Sequence, residues 1–312
     1  GKSPDENQAT QLLERLRNEG LPYELCYQKA REEAVGGEEG LAFLSLSPMD
    51  KCEWFCLESD TTRGCLRGAL AVTLTPPGES RRPIRLYNVH FPVRDRSQCD
   101  FSLMLFRLLE TEYNPSVSQI VMGDFNSYFS FSWPVDLLTR RWPWRTLTDP
   151  SFNPCATPDL AGDGLLHTQY ERLPPFLDAW ETSHPLPPVG SHNRAARPVG
   201  RWWSYRAQDV RAGYTFLNPV GASQHSSRPD RVLLRASVCD VNSSASTHLP
   251  SGRSHPPPSA VCGAHLFGAT PGQVLRRAHH GQIGAPQDVH PTSDHFGVAV
   301  SLLLHCTSPP SP

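Results

Sequence analysis

Residues 119–126 read QIVMGDFN and give the clearest indication of the fold. The short run at 119–122 is followed at once by polar residues, which predicts a buried β-strand ending at Gly123. Asp124 and Asn126 come directly after it, and both residue types are common in tight turns after strands. Taken alone, the stretch therefore predicts equally a plain turn or a functional carboxylate at a strand end.

Three further stretches place polar, titratable side chains at strand edges. One closes a predicted strand at 84–91, one opens a strand at 232–234, and one opens a strand at 296–304. Their sequences are Asn88-Val89-His90-Phe91, Arg228-Pro229-Asp230-Arg231 and Ser293-Asp294-His295. Because strand ends and strand starts meet at the same rim of an antiparallel sheet, all four stretches can converge on one mouth of the sheet.

The side chains at this rim are suited to one kind of chemistry. Carboxylates attract a hard cation such as Mg²⁺, which keeps positions open for water and a substrate phosphate. An imidazole paired with a carboxylate is held in one tautomer and can stabilise or protonate a developing oxyanion. The residue types therefore predict metal-assisted cleavage of a phosphate ester. The alternatives are a satisfied core histidine at His90 and a surface ion pair at Asp230.

In this order the four motifs resemble those of the endonuclease/exonuclease/phosphatase superfamily. Gly123-Asp124-Phe125-Asn126 and Ser293-Asp294-His295 carry the likeness, and Asn88-Val89-His90 and the run at 228–234 match the intermediate motifs. The resemblance extends from the first helix to about Leu304. It implies a DNase I-like α/β fold: a four-layer αββα sandwich with two mainly antiparallel sheets flanked by helices.

The resemblance also implies a role for each motif residue. Asp124 would orient or activate the attacking water near the metal, and Asn126 would contact the phosphate. His295 would stabilise the scissile phosphate, with Asp230 as its partner carboxylate. His90 would contact the phosphate or serve as general acid.

The metal site is where this chain departs from the family. The resemblance implies Mg²⁺ or Mn²⁺ held by Asp294 and Asp124. In the family, a strand carrying an Asn and a strand ending in the main metal-binding Glu precede the first helix, whereas here that helix opens the sequence. Glu6 lies in the predicted helix start and Glu38-Glu39 in a predicted Gly-rich turn, so neither is expected to replace that Glu. A catalytically inactive domain that binds a partner or scaffolds a complex is therefore the alternative to a phosphodiesterase or phosphatase.

The sequence leaves the substrate open. The segments at 177–181 and 213–216, ahead of the Arg-Pro-Asp-Arg run, resemble both the tyrosyl-DNA phosphodiesterase type and the neutral sphingomyelinase type. The run at 230–233 also resembles inositol-phosphate phosphatases. The expected partner is a phosphate ester: a nucleic acid end, a phospholipid or an inositol phosphate.

Composition limits the class of protein. The 312 residues include 29 Lys and Arg against 31 Asp and Glu, a formal net charge of −2, which argues against a broadly basic nucleic-acid binder. No apolar run approaches the roughly 20 residues that span a bilayer. The nine Cys are scattered without a CxxC pair, so neither a zinc site nor a disulfide framework is expected. Nothing in the sequence resembles a signal peptide, which favours an intracellular location.

The remaining patterns predict the domain and its elements. We expect one domain over 1–305, N-terminally truncated relative to the family and monomeric, with a flexible insertion at 243–260 and a disordered tail at 306–312. Helices are predicted at 3–19, 101–113, 133–138 and 174–180. Antiparallel strands are predicted at 21–27, 41–46, 53–57, 66–75, 214–217 and 231–235.

Overall fold

The structure is a computed structural model that describes residues 7–32, 38–60, 64–75, 83–127, 132–179, 182, 216–217, 226–227, 230–235, 261–267 and 297–302. The predicted insertion at 243–260, the tail at 306–312 and the motif residues Asp294 and His295 lie outside these ranges. The helices are α1 (Gln8–Asn18), α2 (Asp95–Thr111), α3 (Trp133–Thr139), α4 (Trp144–Leu147), α5 (Pro158–Gly162) and α6 (Gly164–Arg172). The strands are β1 (Glu24–Glu32), β2 (Glu38–Ser45), β3 (Met49–Asp60), β4 (Gly64–Leu74), β5 (Ile84–His90), β6 (Ser118–Asp124), β7 (Leu177–Asp178), β8 (Phe216–Leu217), β9 (Ser226–Ser227), β10 (Asp230–Arg235), β11 (Val261–Phe267) and β12 (Gly297–Leu302).

The central element is a six-stranded sheet in the order β3-β4-β5-β6-β10-β7. β5 and β6 are parallel, and the other adjacent pairs are antiparallel. A parallel pair needs a crossover connection, which α2 supplies. β1 and β2, β8 and β9, and β11 and β12 form separate two-stranded sheets. The strands predicted from apolar runs between residues 21 and 91 are confirmed.

Two hydrophobic clusters cover the two faces of this sheet. Because side chains alternate along a strand, Tyr87 of β5 packs with Phe106 of α2 and with the later helices on one face. Its neighbour Leu86 belongs to the cluster on the other face, together with Phe43 of the β1–β2 hairpin. The sheet therefore lies between a layer of helices and the β1–β2 hairpin. No helix in the described part of the chain is long and apolar enough to cross a bilayer.

The structure differs from the predicted helix at 174–180 and describes the first helix only from its N-cap onward. Residues 174–180 were expected to be helical, but β7 lies there and pairs with β10. The pairing is stabilised by a buried ion pair, in which Asp178 Oδ2 lies 2.8 Å from Arg231 Nη1. The predicted helix start at residues 3–6 lies outside the described ranges, and α1 begins at Gln8 with Asn7 as its N-cap, whose Oδ1 accepts the Thr10 N–H at 2.8 Å.

The expectation that the chain has no disulfide framework is wrong. Three disulfides tie β1 to β3, β3 to β4, and α2 to the segment that follows α4. Their Cα–Cα distances of 5.9, 5.6 and 5.3 Å suit such bonds. The spacing of cysteines along the chain misled the prediction because bonding depends on proximity in the fold. The bonds are Cys26–Cys52, Cys56–Cys65 and Cys99–Cys155.

The disulfides that close the longest and the shortest loop should contribute differently to the free energy of unfolding. Cys99 and Cys155 are 56 residues apart, whereas Cys56 and Cys65 are 9 apart. Since a longer closed loop constrains the unfolded chain more, replacing the first pair by Ala should lower the free energy of unfolding by about 4 kcal/mol and the second pair by about 3 kcal/mol. Urea unfolding of the two double variants measures this. The reverse order, or reactive thiols at these positions in the native protein, would contradict the assignment.

Candidate active site

Three of the four predicted motifs meet at one rim of the six-stranded sheet. β5 ends at His90, β6 ends at Asp124 and β10 begins at Asp230. In the strand register His90 is opposite Asp124, and Asp124 is opposite Asp230. Residues directly opposite each other project to the same face of a sheet. The imidazole and both carboxylates therefore share one face, the face that the β1–β2 hairpin covers.

The close approach of β5 and β6 at this rim requires glycine at position 123. Gly123 has a φ of +130°, and a Cβ added there would lie 2.0 Å from the carbonyl oxygen of Val89. Just beyond it, the Phe91 N–H donates to the Asp124 carbonyl oxygen at 2.8 Å. The Gly-Asp sequence thus has a physical basis, because only a residue without a side chain allows the two strand ends to come so close.

Asn126 fixes the carboxylate of Asp124 and the end of β5. It adopts the left-handed region with a φ of +45°, which Asn tolerates better than most residues. Its N–H donates to Asp124 Oδ1 at 2.7 Å, and its buried Nδ2 donates to the Phe91 carbonyl oxygen at 2.8 Å. Its own carbonyl oxygen accepts a bond from Gln98 Nε2 at 3.0 Å. The contact of Asn126 with a phosphate stays a prediction.

Glu39 belongs to this site, and its predicted location in a turn is wrong. It lies in β2, where its backbone is opposite that of Arg31 in the register with β1. Its Oε1 lies 2.7 Å from His90 Nδ1, while His90 Nε2 lies 3.6 Å from Asp124 Oδ2. His90 is thus placed between two carboxylates. The available signal for Glu39 was the apolar run at 41–46, because a strand extended back from it by two residues includes Glu39.

Arg67 of β4 is the second residue that sequence reasoning missed. Its Nη1 donates to the carbonyl oxygens of His90 and Phe91, both at 3.2 Å. The same nitrogen lies 3.1 Å from Glu39 Oε1. A lone charged residue in the otherwise apolar run at 66–75 was the available signal, because such a residue is buried only when it is paired.

A small open cleft gives access to these groups. It is shallow and is lined by Glu39, Arg67, His90 and Trp54, among others. The side chain of His90 is 33% exposed and that of Asp124 is 20% exposed. A ligand from solvent can therefore reach both the imidazole and the carboxylate.

The described residues do not by themselves form the metal site that the resemblance implies. Among them, no group of three His, Cys, Asp or Glu side chains is arranged to hold a metal ion. Glu39 Oε1 is already shared by Arg67 and His90, and Asp124 Oδ1 accepts the Asn126 N–H. A Mg²⁺ ion needs about six oxygen ligands. Of the two predicted ligands, Asp124 is at the rim and Asp294 lies outside the described ranges.

Other buried charged side chains lie on the helix-facing side of the sheet, opposite to the face that carries His90. Arg231 is next to Asp230 in β10, so its side chain projects to the opposite face and pairs with Asp178 at 2.8 Å. Nearby, Asp136 of α3 accepts a bond from Ser132 Oγ at 2.6 Å. Burial raises the pKa of Asp136, although this hydrogen bond acts to lower it. These groups anchor β10 and α3 and do not share the face of His90.

Comparison with known proteins establishes the fold. Neither a protein-family model nor a curated protein matches the sequence. A solved endonuclease/exonuclease/phosphatase family protein from Leptotrichia buccalis is 15% identical with a TM-score of 0.51, over 96% of this chain and 79% of that chain. An endonuclease/exonuclease/phosphatase from Beutenbergia cavernae is 15% identical with a TM-score of 0.48, over 97% of this chain and 60% of that chain. Humanized TDP2 from D. rerio is 15% identical with a TM-score of 0.44, over 94% of this chain and 81% of that chain.

The likeness with a TM-score of 0.51 assigns the chain to a fold class. The chain has the DNase I-like α/β fold of the endonuclease/exonuclease/phosphatase proteins. The DNase I-like α/β fold class that the resemblance implies is therefore confirmed, and the four-layer sandwich with two sheets stays a prediction.

Proposed function

We propose that this chain is a phosphate-ester hydrolase that uses water as its nucleophile. The observation that carries the proposal is the position of His90 between the carboxylates of Glu39 and Asp124, at an open rim of a DNase I-like fold. An imidazole held between two carboxylates can exchange a proton with a substrate, and a fixed, accessible carboxylate can orient water.

Asp124 is the group suited to order the nucleophile. Because the Asn126 N–H holds Oδ1 at 2.7 Å, the carboxylate keeps a fixed orientation, with Oδ2 at 3.6 Å from His90 Nε2. A water that donates a hydrogen bond to Oδ2 has its lone pair available for attack on phosphorus. As the new P–O bond forms, the proton of the water passes to Asp124.

His90 is the group suited to protonate the leaving oxygen. The reacting form in this proposal is the imidazolium, whose Nδ1 donates to Glu39 Oε1 across 2.7 Å and whose Nε2 carries the second proton. When the ester P–O bond breaks, the leaving oxygen takes the proton from His90 Nε2. Asp124 Oδ2 lies 3.6 Å from that nitrogen, so the proton gained from water can return to His90 and restore the starting state. In this proposal His295 stabilises the phosphate charge, with Asp230 as its partner carboxylate, as the resemblance implies.

The compartment is part of the proposal. Disulfides form and persist in oxidising compartments and are rare in the cytosol. The three disulfides support maturation of the chain in an oxidising compartment rather than the intracellular location expected from the sequence.

A hydrolysis screen of the full-length protein tests the activity and its metal dependence. The substrates are DNA ends, sphingomyelin and inositol phosphates, each with Mg²⁺, with Mn²⁺ and with EDTA. We expect turnover of one substrate class with Mg²⁺ or Mn²⁺, loss of that turnover in EDTA, and recovery when the metal is added back, since Asp124 and Asp294 are the predicted ligands. Turnover that is equal in EDTA would contradict the metal dependence, and no turnover of any substrate would contradict the hydrolase.

The second candidate function is a binding module that keeps the fold without the reaction. The observation that favours it is that the carboxylates of Glu39 and Asp124 are already engaged by protein donors. In the same screen, saturable binding of a phosphate ester without turnover would support the binding module.

A further inference from the structure

Arg67 contacts His90 both directly and through Glu39. Its Nη1 lies 3.2 Å from the carbonyl oxygen of His90 and 3.2 Å from that of Phe91. It also lies 3.1 Å from Glu39 Oε1, and this same oxygen lies 2.7 Å from His90 Nδ1. Since Nη1 carries two hydrogens, the three oxygen atoms share them. One guanidinium nitrogen therefore links the backbone of His90 to the carboxylate that contacts its ring.

Burial makes these contacts difficult to break. The side chain of Arg67 is 8% exposed, and that of Glu39 is 20% exposed. A buried guanidinium remains charged, and its removal takes a charged donor away from each of its partners. Hydrogen bonds with ionised partners are also stronger than neutral ones. Arg67 therefore holds the carboxylate of Glu39 at a fixed place.

We propose that Arg67 is a positioning residue that sets the orientation of the His90 imidazole. It fixes the backbone at the end of β5 and the carboxylate that accepts the Nδ1 proton, so that Nε2 faces Asp124. Its part in catalysis rests on the proposed function. The orientation of the ring is a property of the folded protein and can be measured without turnover.

A purely structural role is the competing explanation, and Arg85 provides a matched control for it. Counted over the whole residue, backbone included, Arg67 and Arg85 are each 7% exposed. Arg85 lies toward the opposite end of β5, where it pairs with Glu53 and Glu112. Replacing Arg85 by Met removes a buried, paired guanidinium from the same sheet without touching His90.

Steady-state kinetics with the hydrolysed substrate form the first test. Because a small displacement of a reacting group slows a reaction strongly, Arg67→Met should lower kcat by about 100-fold and change KM by less than about threefold. Arg67→Lys should recover part of this loss, because an ammonium keeps the charge but lacks the planar fork. Arg85→Met should lower the Tm and keep the kcat of the wild type. Equal losses of kcat in the two Met variants, or a loss confined to KM, would overturn the proposal.

The ¹⁵N signals of the His90 imidazole form the second test and do not require turnover. The signals are assigned by their disappearance in His90→Gln. At a pH high enough for the imidazole to be neutral, we expect a single tautomer with the proton on Nδ1 in the wild type, and a mixture of tautomers in Arg67→Met. An unchanged signal in Arg67→Met would overturn the proposal, and Arg67→Lys replaces that variant if it does not fold. If the wild type hydrolyses no substrate, the proposed function fails while this measurement still decides the role of Arg67.

Discussion

Replacing Asp124 by Asn is expected to lower kcat/KM for phosphate-ester hydrolysis by about 10²–10⁴-fold, the range typical of a lost acid–base group. The amide oxygen of Asn can still accept the Asn126 N–H that Asp124 Oδ1 accepts at 2.7 Å, so the local backbone should be preserved. The amide cannot take a proton from water or return one to His90. Initial rates with the substrate found in the screen measure the effect, and circular dichroism confirms the fold.

Asp163→Asn is the matched control for this experiment. Like Asp124, Asp163 accepts a backbone N–H, from Leu166 at 2.9 Å, and faces a basic side chain, that of Arg107. It is the N-cap of α6, a position where Asn and Asp are about equally favourable. Its activity should equal that of the wild type. Activity lost equally in both variants, or retained in Asp124→Asn, would contradict the role of Asp124.

Replacing Gly123 by Ala is expected to destabilise the six-stranded sheet strongly. A methyl group would lie 2.0 Å from the Val89 carbonyl oxygen, and the backbone φ is +130°. Overpacking and an unfavourable backbone region each cost about 1–3 kcal/mol, so the free energy of unfolding should fall by about 3 kcal/mol or more. Relief of the clash requires the ends of β5 and β6 to separate. His90 and Asp124 would then move apart and any hydrolytic activity would fall as well.

Gly20→Ala separates the two causes of this loss. Gly20 has a φ of +77°, but no atom lies within 4 Å of the position that a Cβ would take. Its loss should be limited to the backbone term, about 1 kcal/mol. Denaturant unfolding compares the two variants. A loss of stability in Gly123→Ala no greater than that in Gly20→Ala would contradict the close approach of β5 and β6.

The rim of the sheet could be predicted from sequence because its signals are local. Strand periodicity followed by Asn88-Val89-His90 and by Gly123-Asp124 indicated where β5 and β6 end, and the structure places these ends side by side. Asp230 could be placed for the same reason, since it precedes an apolar strand. The residues that complete the surroundings of His90 were missed because they come from other strands. The position of Glu39 depends on how the β1–β2 hairpin docks, which no local pattern specifies.

The partners of the cysteines and of β7 could not be predicted from the sequence for the same physical reason. Which cysteines bond is decided by the Cα–Cα distance, and two of the bonds join elements that the sequence does not link locally. The prediction of a helix at 174–180 missed β7, because the two residues of this strand are stabilised by pairing with β10 and by the contact of Asp178 with Arg231. In both cases tertiary contacts override local preference.

The parallel pairing of β5 with β6 has a consequence for the folding pathway. Antiparallel neighbours such as β3 and β4 are joined by a short connection and can form early, whereas parallel strands must wait for their crossover and are slow to pair. Glu39 reaches His90 only when the β1–β2 hairpin has also docked. An intermediate with its local hairpins formed would thus show much of the native secondary structure and still lack the site. Recovery of any hydrolytic activity during refolding is therefore expected to follow the docking of the β1–β2 hairpin, and to lag behind spectroscopic signals that follow secondary structure alone.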